Sequence, residues 1–308
     1  MKRALLLLWA FICLAPAAKA DIWISSADPY SQPKNPMTPE FMAAFRDGAN
    51  WSGKGIQAFK FSTQFLYRAP EGDLSEAIRI LREKHIAIAM EGLLLVESER
   101  CGRGVESYSW KGAIPAVAER VKRLGGEIAF VALDEPVTWG HYSTRARTCR
   151  DPVSSLADQM AANVKVLKAA FPNIKFGSIE PITPVTADRL DALFEFFKEF
   201  KRASGEPISF LHADISWAGP WHQQLAQWKT RLHASGMRLG VIANGDPQDT
   251  SNAAWTGHAI ERYRAVVNDP AVRPDDVIFQ SWMSFPTKLV PDTEPGTLTN
   301  LAREASGR

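Results

Sequence analysis

Eight short runs rich in β-branched and aromatic residues recur along this 308-residue chain, each separated from the next by a longer stretch of helical character. The runs begin at Ile22, Ile56, Ile86, Ile128, Lys175, Ile208, Arg238 and Asp276. They are mostly apolar rather than strictly alternating, as parallel strands covered on both faces must be. The stretches between them carry helix punctuation. Thr38-Pro39 opens the first, and Asp73 is the expected N-cap of the second. "AIPAVAERVKRLGG" closes on two glycines, and Pro152 and Pro172 bound the next helix. Later helices are expected from Thr186 to Gly205, from Pro220 to Gly236 and over "GHAIERYRAVVNDP", with a short one at the end of the chain. Strand then helix, repeated eight times, predicts an α/β chain forming a single (β/α)₈ barrel. The alternative is an open doubly wound sheet, but no glycine-rich turn of the dinucleotide-binding kind follows the first run.

Residues 1–20, "MKRALLLLWAFICLAPAAKA", have the form of a signal peptide. Lys2 and Arg3 form its basic head, an apolar segment follows, and Ala18-Lys19-Ala20 is the small-residue cleavage pattern. The apolar segment is shorter than the roughly 20 residues a membrane span requires. The expected product is a secreted or periplasmic protein of residues 21–308, one barrel domain with no membrane contact and monomeric. Lys2, Arg3 and Lys19 are three of 36 basic residues; without them 33 bases face 34 acids. A chain so close to neutral has no basic face for nucleic acid. Two cysteines, Cys101 and Cys149, remain in expected loops, and an oxidising compartment favours a disulfide between them.

In such a barrel the C-terminal ends of the strands and the loops that follow build the site. Those ends are polar. The apolar run Ile128–Leu133 stops at Asp134 and Glu135; Lys60, Glu91, Glu180, His212, Asp214, Asn244 and Gln280 end other strands, and Asp28 follows the first. A ring of acids costs free energy through like-charge repulsion and so calls for a chemical reason. Trp139, Tyr142, Trp217, Trp221, Trp255 and Trp282 fall at or just after strand ends. Indole faces stack on sugar rings while carboxylates and amides bind hydroxyls, so the combination points to an oligo- or polysaccharide. Lys60 among the acids would suit a negatively charged ring.

Asp134-Glu135-Pro136 resembles the Asn-Glu-Pro signature of the large clan of (β/α)₈ retaining glycoside hydrolases. The resemblance implies that Glu135 is the acid/base and that Asp134 holds a sugar hydroxyl. That clan carries its nucleophilic Glu at the end of the seventh strand, where this chain reads "GVIANG", with Asn244 and no acid. A second carboxylate must then come from Asp214 or Glu180; the pair Asp134 and Asp214 resembles other barrel glycosidases. The expected catalytic set is Glu135, Asp214, Glu180 and Asp134. The expected binding set is Lys60, Glu91, His212, Asn244, Gln280, Trp282, Trp217 and Trp139. No cofactor or metal is expected. Two other classes remain: a barrel that binds polysaccharide without cutting it, favoured by the missing acid, and a sugar-isomerase-type barrel in which His212 and neighbouring acids hold a divalent metal.

Overall fold

The computed structural model describes residues 19–46, 48–182 and 187–307. The expected signal segment lies outside the described residues except for its last two positions, as does Thr186, the expected start of a helix. Eight parallel strands close into a barrel in which each strand pairs with its neighbours in sequence and the first pairs with the last. They are β1 (Asp21–Ser26), β2 (Ile56–Ser62), β3 (Ala87–Gly92), β4 (Ile128–Asp134), β5 (Lys175–Pro181), β6 (Ile208–Asp214), β7 (Arg238–Ile242) and β8 (Asp276–Ser281). The barrel is the fold that the alternation predicts. No helix among the described residues is long and apolar enough to cross a membrane.

The main helices between strands span Glu71–Glu83, Ala113–Arg123, Val153–Ala170, Ala187–Ser204, Trp221–Ala234, Asn252–Val267 and Leu298–Ala305. Three expected boundaries move. The segment after Thr38 is two short helices, Thr38–Phe41 and Ala43–Arg46. Pro70, not Asp73, holds the N-cap position, which leaves Asp73 in the first turn, where its charge still favours the helix N-terminus. Ser251 caps the sixth main helix through a hydrogen bond from Ala254 N–H, so that helix begins at Asn252, five residues before the expected Gly257. Trp255 therefore lies inside a helix, fully buried against the barrel, and is not at the mouth.

Apolar packing divides in two. One cluster fills the space between strands and helices; a second, made of Trp23, Ala58, Ala89, Ala132, Ile179, Phe210, Ile242 and Ile278, fills the barrel interior. Side chains alternate along a strand, so residues two positions further on share the inward face. From these interior residues that step leads to Ser25, Lys60, Glu91, Asp134, Pro181, His212, Asn244 and Gln280. The barrel axis thus passes within one step from an apolar plug to a mostly polar layer, part of which borders the mouth and part of which stays buried beneath it. Glycine makes the plug fit: a Cβ on Gly177 would sit 2.2 Å from the Phe210 ring.

Candidate active site

The β4 end is held in an unusual conformation. Glu135 has φ +48°, the left-handed region that residues other than glycine avoid. Its N–H is shared between the carbonyls of Leu133 and Ile179, both at 3.1 Å. Such backbone costs about 1–3 kcal/mol and persists only where the surroundings impose it. Here Glu180 helps impose it. Its buried carboxylate accepts hydrogen bonds from Val137 N–H (2.8 Å), Thr138 N–H (3.2 Å) and Thr138 Oγ1–H (2.7 Å), locking the turn that follows Glu135. Burial nevertheless pushes the Glu180 carboxyl up to about 7. Expected as a catalytic partner, Glu180 instead lies behind the turn and does not border the mouth cavity. Its oxygens are spent on two backbone N–H groups and the Thr138 hydroxyl.

That cavity, about 470 Å³, opens at the C-terminal ends of the strands. Asp134, Glu135, Asp214 and Glu91 all border it, together with Glu106 from the loop after β3. Glu91 is neutralised: Lys60 Nζ lies 2.6 Å from its Oε2, and Gln280 Nε2 donates to the same oxygen at 2.9 Å. The other carboxyls form no ion pair among the described residues and are shielded from water, which raises their proton affinity, with the Arg145 charge opposing that rise at Glu106. Burial, then Asp134 and Glu180, push Glu135 up to about 10. Burial, then Glu91 and Glu106, hold Asp134 well above the usual carboxylate range. Burial pushes Asp214 up only to about 6, with the Lys60 ammonium pulling it down. One cavity thus holds a carboxyl that is protonated at neutral pH and another that is ionised.

The expected binding residues divide. Trp139 and Trp282 border the cavity, Trp282 being 38% exposed at its rim. Asp214 and Trp282 also border a second cavity of about 310 Å³ alongside Trp217 and Asn244. Asn244 is buried with its Oδ1 accepting from Trp217 Nε1 (3.0 Å) and Arg262 Nη1 (3.2 Å); the β7 residue facing the acids is Ile242. Lys60 is fully buried beneath the mouth and ion-paired, so the expectation that it meets a negatively charged ring fails. His212 also misses the mouth. It sits a layer lower between the rings of Trp23 and Phe210, each 4.7 Å away, and burial keeps its imidazole neutral. The isomerase-type reading loses its histidine, and among the described residues no three His, Cys, Asp or Glu side chains are grouped to hold a metal ion.

Glu106 escaped notice because it belongs to no strand. Its loop folds over the barrel, with Leu95–Val96 pairing in parallel with Tyr108–Ser109. The Cys101–Cys149 disulfide fastens it to the loop after the β4 turn, and Ser107 Oγ–H donates to the Asp134 carbonyl. The paired cysteines were the signal: a bridge between the loops of β3 and β4 ties Cys101, five residues before Glu106, to the segment that follows the β4 end. The bridge closes a loop of 48 residues, for which chain entropy predicts a stabilisation of about 4 kcal/mol and mutational experience about 2–4. Cys101→Ser with Cys149→Ser is expected to lower the melting temperature by several degrees, read by calorimetry; an unshifted transition would show that the bridge constrains nothing.

The sequence matches no protein-family model and no curated protein. Solved structures do resemble it. Xylanase 10B from Thermotoga maritima superposes with a TM-score of 0.56 at 12% identity, over 93% of this chain and 95% of the xylanase. A psychrophilic glycoside hydrolase family 10 endo-β-1,4-xylanase gives 0.57 at 10% identity, over 92% and 96%. A thermostable mutant of a Cellvibrio japonicus xylanase gives 0.52 at 10%, over 94% and 99%. At such identities the likeness is one of fold: this chain has the (β/α)₈ barrel of these glycoside hydrolases.

Proposed function

We propose that this protein is an exported glycoside hydrolase, processed after Ala20, that cleaves an oligo- or polysaccharide with Glu135 as general acid and Asp214 as its ionised partner. The observation that carries the reading is the shared cavity in which Glu135 is held up to about 10 and Asp214 only to about 6. Glycosidic cleavage needs one carboxyl to protonate the leaving oxygen while another attacks the anomeric carbon or activates water. Between about pH 6 and 10 those two residues hold the required states together, because their environments separate them. Asp134, crowded by Glu91 and Glu106, serves as a hydroxyl-binding neighbour that keeps Glu135 protonated. Trp282 supplies an apolar face for a sugar ring. The folds it resembles belong to xylanases, which makes xylan a natural first substrate to offer.

Incubation with xylan and a panel of other exported polysaccharides is expected to release new reducing ends. Asp214→Asn should reduce that release by about 10²–10⁴-fold, and its removal should abolish the acid limb near pH 6 in the pH–rate profile. Undiminished activity in Asp214→Asn would remove it from the mechanism. The anomer first released, followed by NMR, distinguishes direct attack from water activation.

A second reading rests on Ile242, which stands on β7 facing the acids where the resembled clan uses that strand to supply a nucleophile. In a non-catalytic saccharide-binding barrel the same cavity would retain a polysaccharide and release nothing from it.

A further inference from the structure

The amide that holds Trp217 has an uncommitted end. Asn244 is only 4% exposed and borders the second cavity, which meets the mouth cavity at Asp214 and Trp282. Its Oδ1 accepts from Trp217 Nε1–H at 3.0 Å and from Arg262 Nη1–H at 3.2 Å. Indole and guanidinium can only donate, so the amide has one orientation, oxygen toward both of them and nitrogen away. Nδ2 donates to no group among the described residues. Nor is that nitrogen sealed beneath its neighbours, and the open space beside it is the second cavity. At about 310 Å³ the cavity has the size of a small-ligand site, for which about 300–1,000 Å³ is usual.

The other polar groups of the cavity are committed. Arg262 lies over the Trp217 ring, 5.3 Å from its centre, and its donors go to the carbonyls of Asn244 and Gly245 and to the Asp246 carboxylate. Ser216 is engaged as well, and Asp214 is the partner of Glu135 in the proposed reaction. Ile215, Trp217, Ala218, Trp282 and Met283 make the rest of the wall largely apolar. An amide that can only donate, set in such a wall, fits a carbonyl that carries a methyl group. A hydroxyl brings a hydrogen of its own to place, an ammonium brings donors alone, and a carboxylate meets the charge of Asp214.

We propose that the second cavity is a subsite for an acetylated sugar. The acetyl carbonyl accepts from Asn244 Nδ2–H, its methyl lies against the apolar wall, and the glycan passes over Trp282 into the mouth cavity. This rests on the saccharide reading of the mouth cavity but not on turnover. The test is calorimetric titration of the Glu135→Gln protein with two uncharged pairs of β-1,4-linked hexamers: xylose beside its O-acetylated form, and glucose beside N-acetylglucosamine. In at least one pair the acetylated member should bind about tenfold or more tighter, from one hydrogen bond and one buried methyl together. Asn244→Asp keeps an oxygen for Trp217 and Arg262 but turns the free donor into an acceptor. Added to the Glu135→Gln protein, it should bring the ratio within the pair to about one, whereas a role confined to holding Trp217 would leave the ratio unchanged. If that variant does not fold, the matched pairs decide alone. Equal or weaker binding of both acetylated members, or an undiminished ratio in Asn244→Asp, overturns the proposal. No binding of any hexamer overturns it too, and because binding is read on a variant expected to lack turnover, the hydrolase reading is then left to the reducing-end assay.

Discussion

Replacing Glu135 by glutamine is expected to lower turnover about 10²–10⁴-fold while raising, not lowering, the stability of the fold. The two effects share a cause. Burial and the neighbouring acids lift the Glu135 carboxyl from its ordinary 4.5 to about 10. Between those two pH values the folded protein keeps a proton that the unfolded chain releases. Stability from this group is therefore intact below about pH 4.5 and is lost progressively as pH rises toward 10. Glutamine cannot ionise, so thermal melts of the variant should gain over the parent increasingly from pH 5 to 9. Glutamine also preserves the side-chain length on a backbone already at φ +48°. The alkaline limb of the pH–rate profile should disappear with the variant, while the limb at about 6, assigned to Asp214, remains in whatever activity survives. A variant with full turnover would exclude Glu135 as the acid, and one melting well below the parent would show that the carboxyl stabilises the turn.

Lys60→Met is expected to cost about 3 kcal/mol, at the lower end of the range for breaking a buried ion pair because Glu91 keeps some exposure. Methionine retains most of the apolar stem of lysine, so the loss reports the charge and little of the packing. Removing that ammonium leaves Glu91 with Gln280 Nε2 as its remaining donor among the described side chains. The expected fall in melting temperature is about 5 °C for a domain of this size. A kinetic signature accompanies it. Lys60 pulls down the proton affinity of both Asp134 and Asp214, so its loss should move the acid limb of the pH–rate profile upward from about 6. Pairing Lys60→Met with Glu91→Gln should restore part of the stability, since no charge is then left buried and alone. A single variant melting within a degree of the parent would show that the pair contributes specificity rather than stability.

The register of the barrel was legible because a parallel strand buried on both faces has no alternative to a continuous apolar run. All eight runs became strands, and the acids that interrupt them lie at the C-terminal ends, where the fold concentrates reactive groups. Asp134, Glu135, Asp214 and Glu91 could be singled out because each terminates a strand that is otherwise apolar. For Asp134, Asp214 and Glu91 convergence on one cavity follows from parity together with the closed topology, whereas Glu135, one residue out of phase, borders it from the left-handed turn beyond β4.

Direction and depth were not legible. Glu180 and Asp214 both end neighbouring strands, yet Glu180 turns to the backbone N–H groups behind Glu135 while Asp214 faces the cavity. Parity separates the two once the interior register is known, since Glu180 follows the inward Ile179 by one residue and Asp214 follows the inward Phe210 by four, but the sequence alone does not say which face of each run is the interior one. His212 and Asp214 share a face, but two residues along the strand separate an imidazole wedged among aromatic rings from a carboxyl at the mouth. Asn244 looked like a site residue and is a bracket for Trp217 and Arg262. Glu106 was invisible because loop residues carry no periodicity, and its place depends on the Cys101–Cys149 bridge. Local patterning records which face of an element is dry. Which dry face then borders a cavity, and which carboxyl there keeps its proton, depends on neighbours distant in sequence, because desolvation and charge act through space and not along the chain.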